Sequence, residues 1–174
     1  GRIAYRQEGG ILVTGSQRTC LPDALFHLLV ARSLVSGADE RDDVLSIMPL
    51  VGSTHDTLFT SADEYVQKKF NLKLKRVTSS FISCEGGPAL TILRTTGLFI
   101  IQLRVTYDKD DKEPDLHCVA YDGVEIKDNS RSAKVKVIDE ADRSSPSEAR
   151  KVFDSLFPKG LVVRIKNIYE LVPM

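Results

Sequence analysis

The chain has 174 residues, with 24 Lys and Arg against 24 Asp and Glu, 42 % hydrophobic and 28 % charged residues, and three Cys. At about 100–200 residues per domain this is one domain, residues 1–174, with enough apolar content for its own core, which excludes a wholly disordered chain. The even charge balance weighs against nucleic-acid binding, no apolar run approaches the ~20 residues of a membrane span, and three widely spaced cysteines suit a reducing, cytoplasmic setting rather than a disulfide scaffold.

The first half reads as helical. A short apolar stretch, Ile11 to Thr14, leads into the turn Gly15-Ser16-Gln17-Arg18-Thr19. Pro22 then suits a first helical turn, where its missing N–H costs nothing. Leu21, Ala24, Leu25, Leu28 and Leu29 follow at i, i+3, i+4 spacing, and Phe26 and Val30 widen the apolar face, so this helix should be largely buried and end at Gly37. Asp42 to Met48 reads as a second helix stopped by Pro49, and Ser61 with Glu64 as a capping box opening a third helix through Tyr65, Val66 and Phe70.

The second half is richer in strands. Leu72 to Val77 is one, and a short helix is expected around Pro88 to Leu93. Leu98 to Val105 is apolar enough to be central, although Gln102 interrupts it. A charged loop from Tyr107 to Asp115 precedes a strand, Leu116 to Tyr121, and Asp122-Gly123 is a hairpin turn signal that returns Val124 to Lys127 antiparallel. Lys134 to Ile138 alternates like an edge strand. Ser145, Pro146 and Glu148 form a second capping box opening a helix to Phe157, and Leu161 to Val172 closes the chain as one long strand or two. This order of elements makes the fold α+β with an antiparallel sheet.

Cys20 falls at or beside the N-terminus of the first helix, where the dipole and unbonded N–H groups stabilise a thiolate. A thiol nucleophile needs a base. His27 lies two turns along the same helix, roughly 10 Å away by the helical rise, too far for a hydrogen bond. His55 sits in the turn-rich Gly52-Ser-Thr-His-Asp and reads as a solvated residue. His117 begins a strand after the charged loop, an edge where catalytic bases occur. If the hairpin turns at Asp122-Gly123, Asp128 or Asn129 returns beside His117 and can orient its imidazole, Asp128 also being able to stabilise the imidazolium. Cys118, next along the strand, should face the other way and be structural. Three Cys and three His lack the paired spacings of a zinc site, and there is no Gly-rich phosphate loop followed by Lys, so no metal or cofactor is expected.

A Cys at a helix start, a later strand opening with His, and an Asp or Asn on the next strand together resemble the papain-like cysteine peptidase superfamily. Gln17-Arg-Thr-Cys20-Leu-Pro-Asp-Ala-Leu25 is similar to the nucleophile motif of OTU-type peptidases, Asp-Gly-Asn-Cys followed by Ala-Leu. His117-Cys-Val-Ala-Tyr-Asp with Asp128 looks more like the His/Asp motif of bacteriocin-processing and transglutaminase-like relatives. The likeness covers the element order from about residue 11 to 172, but rests on four or five specific residues. Papain-type enzymes carry their oxyanion Gln where Thr14 stands, and OTU-type enzymes have Asp at Gln17 and Gly at Arg18.

The resemblance implies a catalytic helix packed on an antiparallel sheet or half-barrel, in a thiol peptidase domain excised from a longer protein. Its machinery would be Cys20, His117 and Asp128, with Gln17 as oxyanion donor. The substrate would be a protein or peptide, such as the basic tail of ubiquitin or the protein's own polyprotein. The five acids of the loop before His117 could attract a basic peptide. The alternative is a binding module that keeps the fold without the chemistry.

Overall fold

The computed structural model describes residues 5–6, 12–13, 20–46, 55–77, 92, 94–107, 115–128, 135–157 and 161–174. Two short strands, β1 (Tyr5–Arg6) and β2 (Leu12–Val13), pair antiparallel at the start. Three helices follow: α1 (Cys20–Ala31), α2 (Ala38–Leu45) and α3 (His55–Phe70).

The apolar stripe of α1 is buried as its spacing requires, but the helix stops six residues before Gly37. Ser33 takes the left-handed conformation at φ 60°, the Leu34 N–H donates to Leu29 O at 3.0 Å, and the Ser33 N–H donates to Val30 O at 2.9 Å. This paired closure satisfies the last carbonyls without glycine. Gly37, at φ 125°, instead opens α2, which begins and ends earlier than the span from Asp42 to Met48. A second correction concerns α3. Its first residue is His55, so the Ser61/Glu64 pair lies inside the helix and caps nothing. Leu58, Phe59, Ala62 and Val66 form its buried face, and that continuous stripe extends the helix upstream of the local capping pattern.

Asn71, at φ 56°, turns the chain directly from α3 into β3 (Leu72–Arg76), whose Leu72 and Leu74 point inward while Lys73 and Lys75 face solvent. The remaining strands are β4 (Phe99–Tyr107), β5 (Asp115–Tyr121), β6 (Glu125–Lys127), β7 (Lys136–Val137) and β8 (Leu161–Pro173), with α4 (Pro146–Asp154) between the last two. Ser145 Oγ accepts from the Glu148 N–H at 3.2 Å, so this capping box does open its helix.

The large sheet is wholly antiparallel, in the order β3-β8-β4-β5-β6-β7, and its end strands do not pair to close it. β8 is one strand of 13 residues, long enough to pair with β3 and β4 on its two sides. Alternation along β4 and β5 sends side chains to two cores. Ile100, Cys118 and Ala120 pack with α1, α2 and α3, whereas Ile101, Leu103, Val119 and Tyr121 pack with Ala149, Phe153 and Leu156 of α4 and its end. The fold is therefore α+β, an open antiparallel sheet covered by helices on both faces. The short helix expected around Pro88 to Leu93 lies largely outside the described residues.

Candidate active site

Cys20 is the first residue of α1, 1 % exposed, and its helix packs on the face of the sheet that holds β5. Two side chains pin that first turn. Pro22 and Asp23 are both buried, and Asp23 is ion-paired with Arg41 of α2, itself almost fully buried. Asp23 also complements the positive end of the helix dipole. The pair draws α2 against the start of α1, which fixes the direction in which Cys20 points. Sequence reading missed it, because an acid in a first helical turn is common and its partner lies 18 residues away.

The β5–β6 hairpin brings the other two residues together. Asp122 Oδ1 accepts from the Val124 N–H at 3.0 Å and the Glu125 N–H at 2.7 Å, while Gly123 adopts φ 92°. An added Cβ at Gly123 would lie 2.7 Å from Thr96 O, so the turn needs glycine for space as well as conformation. The Tyr121 hydroxyl donates to Thr95 O at 2.5 Å and accepts from Arg143 Nη1 at 2.8 Å, anchoring the hairpin's end. Register Ala120↔Lys127, carried one residue further, sets Asp128 opposite Val119 and diagonal to His117 on the same face. His117 Nε2 and Asp128 Oδ1 are 2.5 Å apart, with side chains 15 % and 3 % exposed.

With Nε2 engaged by Asp128, Nδ1 is the ring nitrogen left for sulfur, and Cys20 is within hydrogen-bonding reach of His117. Burial disfavours the charged imidazole. The charge and hydrogen bond of Asp128, followed by those of Cys20, outweigh that penalty and push His117 up to about 10. Cys118 sits on the α1 side of β5, 1 % exposed, and hydrogen-bonds with Cys20. Burial first, then the neighbouring Cys20, pushes its thiol well above the ordinary range. Opposite orientation from His117 along the strand was expected; its consequence, contact with Cys20, was not.

Gln102 is a further polar residue of this region. It is fully buried, stands directly across from Cys118 in β4–β5 register, and its Oε1 accepts from Asn167 Nδ2 at 2.9 Å. Its signal in the sequence is a single amide inside the apolar run Leu98 to Leu103. A bulge in the β4–β8 pairing follows directly between Gln102 and Leu103.

The structure thus brings Cys20, His117 and Asp128 into one cluster and adds Cys118. Gln17, Thr14, Asn129 and the acidic residues 108–114 lie outside the described residues, as does Cys84. His27 is half-buried with its ring edge-on to Phe26, centroids 6.1 Å apart. His55 belongs to α3 and not to a turn. Among the described residues no group of three His, Cys, Asp or Glu side chains is placed to hold a metal ion, and no helix is long and apolar enough to cross a membrane. No family model, curated protein or solved structure matches the chain.

Proposed function

We propose that the protein is a papain-like cysteine peptidase or isopeptidase, hydrolysing a peptide or ubiquitin-type C-terminal bond. The observation that carries this reading is the position of His117, between the Asp128 carboxylate and a thiol at a helix N-terminus. An imidazolium hydrogen-bonded to sulfur at that terminus favours the thiolate, the reactive form.

In the proposed cycle the Cys20 thiolate attacks the acyl carbonyl and His117 gives its proton to the leaving nitrogen. Neutral His117 then takes a proton from water, whose oxygen displaces Cys20 from the acyl-enzyme. Asp128 orients the ring and stabilises its charge throughout. The backbone N–H of Cys20 and the Gln17 amide would hold the oxyanion. Substrates fitting this chemistry are ubiquitin-like tails or the protein's own precursor, and the same residues could deamidate a glutamine side chain instead of cutting a chain.

A thiol-reactive probe built on a ubiquitin C-terminus, with a panel of peptide probes beside it, tests the reading. Cys20 should be labelled in the wild type and not in Cys20→Ala, and Asp128→Asn should slow labelling or turnover by about 10²–10⁴-fold. A folded wild type whose Cys20 no probe labels would leave the non-catalytic binding module, a reading that the near-complete burial of Cys20 favours. Product masses separate cleavage from deamidation.

A further inference from the structure

The proposed cycle uses one thiol, yet two meet at the site. Cys20 opens α1, Cys118 projects from β5 beneath it, and both lie in one buried cluster as reduced thiols joined by a hydrogen bond. Of the clustered side chains, His117 is the one that meets solvent, 15 % exposed. We propose that Cys20 and Cys118 form a redox pair, in which a peroxide oxidises Cys20 and Cys118 resolves it as an intramolecular disulfide that reversibly closes the site. That the bond silences an activity rests on the hydrolase reading; that it forms does not.

The chemistry divides the two sulfurs. Cys20 shares its hydrogen bond with an imidazolium at a helix N-terminus, whereas Cys118 is buried, with Gln102 across from it in register, and burial first, then Cys20 and the Asp128 charge, keep it a thiol. In the first step the Cys20 sulfur attacks one peroxide oxygen. The O–O bond breaks, an S–O bond forms, sulfur gives up two electrons, and the other oxygen leaves as hydroxide, giving a sulfenic acid. In the second step Cys118 attacks that sulfur. An S–S bond forms, the S–O bond breaks, and the oxygen departs as water with the Cys118 proton. A disulfide is about 2 Å long, so the sulfurs must close from hydrogen-bonding distance by side-chain rotation and a small shift of the first turn of α1. With a resolving thiol already in contact, condensation competes with further oxidation to the sulfinic acid.

The full chain, reduced and then freed of reductant, is treated with hydrogen peroxide, alkylated and digested without reduction. The expected product is a peptide linking Cys20 to Cys118, lighter by two hydrogens than the two reduced peptides and released by dithiothreitol. In Cys118→Ala the linked peptide should vanish and Cys20 should pass to sulfinic and sulfonic acids that dithiothreitol does not restore. Cys118→Val, which refills the volume, gives the same readout should the alanine variant not fold. Oxidised Cys20 with Cys118 still alkylated, or Cys20 joined to Cys84, overturns the proposal. Probe labelling of reduced Cys20 without the linked peptide removes the switch alone, and the linked peptide without probe labelling removes only the hydrolase reading.

Discussion

His117 is charged because its two neighbours overcome its burial, and this has a consequence for stability. A histidine whose folded pKa lies near 10, against about 6.5 when unfolded, adds stability that is complete below pH 6.5 and lost as pH rises through 10. The margin by which the wild type exceeds His117→Ala in unfolding free energy should therefore shrink steadily from pH 7 to pH 10. Urea titrations at several pH values measure it, and a margin that is flat or grows with pH contradicts the arrangement. The meeting of His117 and Asp128 is legible in the sequence for a physical reason. The link between His117 and Asp128 is a hairpin, so chain separation and turn chemistry alone bring them together. Cys118 against Cys20, Asp23 against Arg41, and Gln102 beside Cys118 depend on packing between distant segments, and no local pattern encodes that.

The same contrast holds for whole elements. Ser145-Pro-Ser-Glu148 stands just ahead of an amphipathic stretch, and the extended Ser145, at φ −156°, separates that stretch from the short 3-10 turn Asp142–Ser144 before it, so the cap and the helix start coincide. Ser61 and Glu64 carry the same four-residue pattern inside a longer apolar stripe, and the stripe wins because burying Leu58 and Phe59 outweighs one cap. Gly37 is correctly a punctuation mark, but it opens α2; Ser33 closes α1. The hairpin that carries Asp128 depends most sharply on one residue. At Gly123 an alanine meets both a strained φ and the Thr96 carbonyl, so Gly123→Ala should cost about 2 kcal/mol or more. Chemical denaturation measures the loss, and a change under about 0.5 kcal/mol, the range of ordinary surface substitutions, would mean that the turn is not as tight as described.

On the scale of the molecule, the open sheet is a shared wall between two cores. Ile100 and Ile101 are consecutive, both fully buried, and point into opposite cores. Each truncation to alanine should cost about 2–5 kcal/mol. Because both cores lean on β4, both variants should lower the midpoint of one common transition, followed by far-ultraviolet circular dichroism and tyrosine fluorescence. Two separated transitions in either variant would show that the faces fold independently. The placement of β8 also sets an order in time. It is the last strand described, yet it stands between β3 and β4, so until Leu161–Pro173 leaves the ribosome the α3–β3 unit has no strand joining it to the sheet that bears His117. Cys20 is synthesised 97 residues before His117 and waits longer still for the wall behind it to be completed. The first residue of α1 is made early and given its surroundings last, so its sulfur stays outside its folded setting while the chain is still growing.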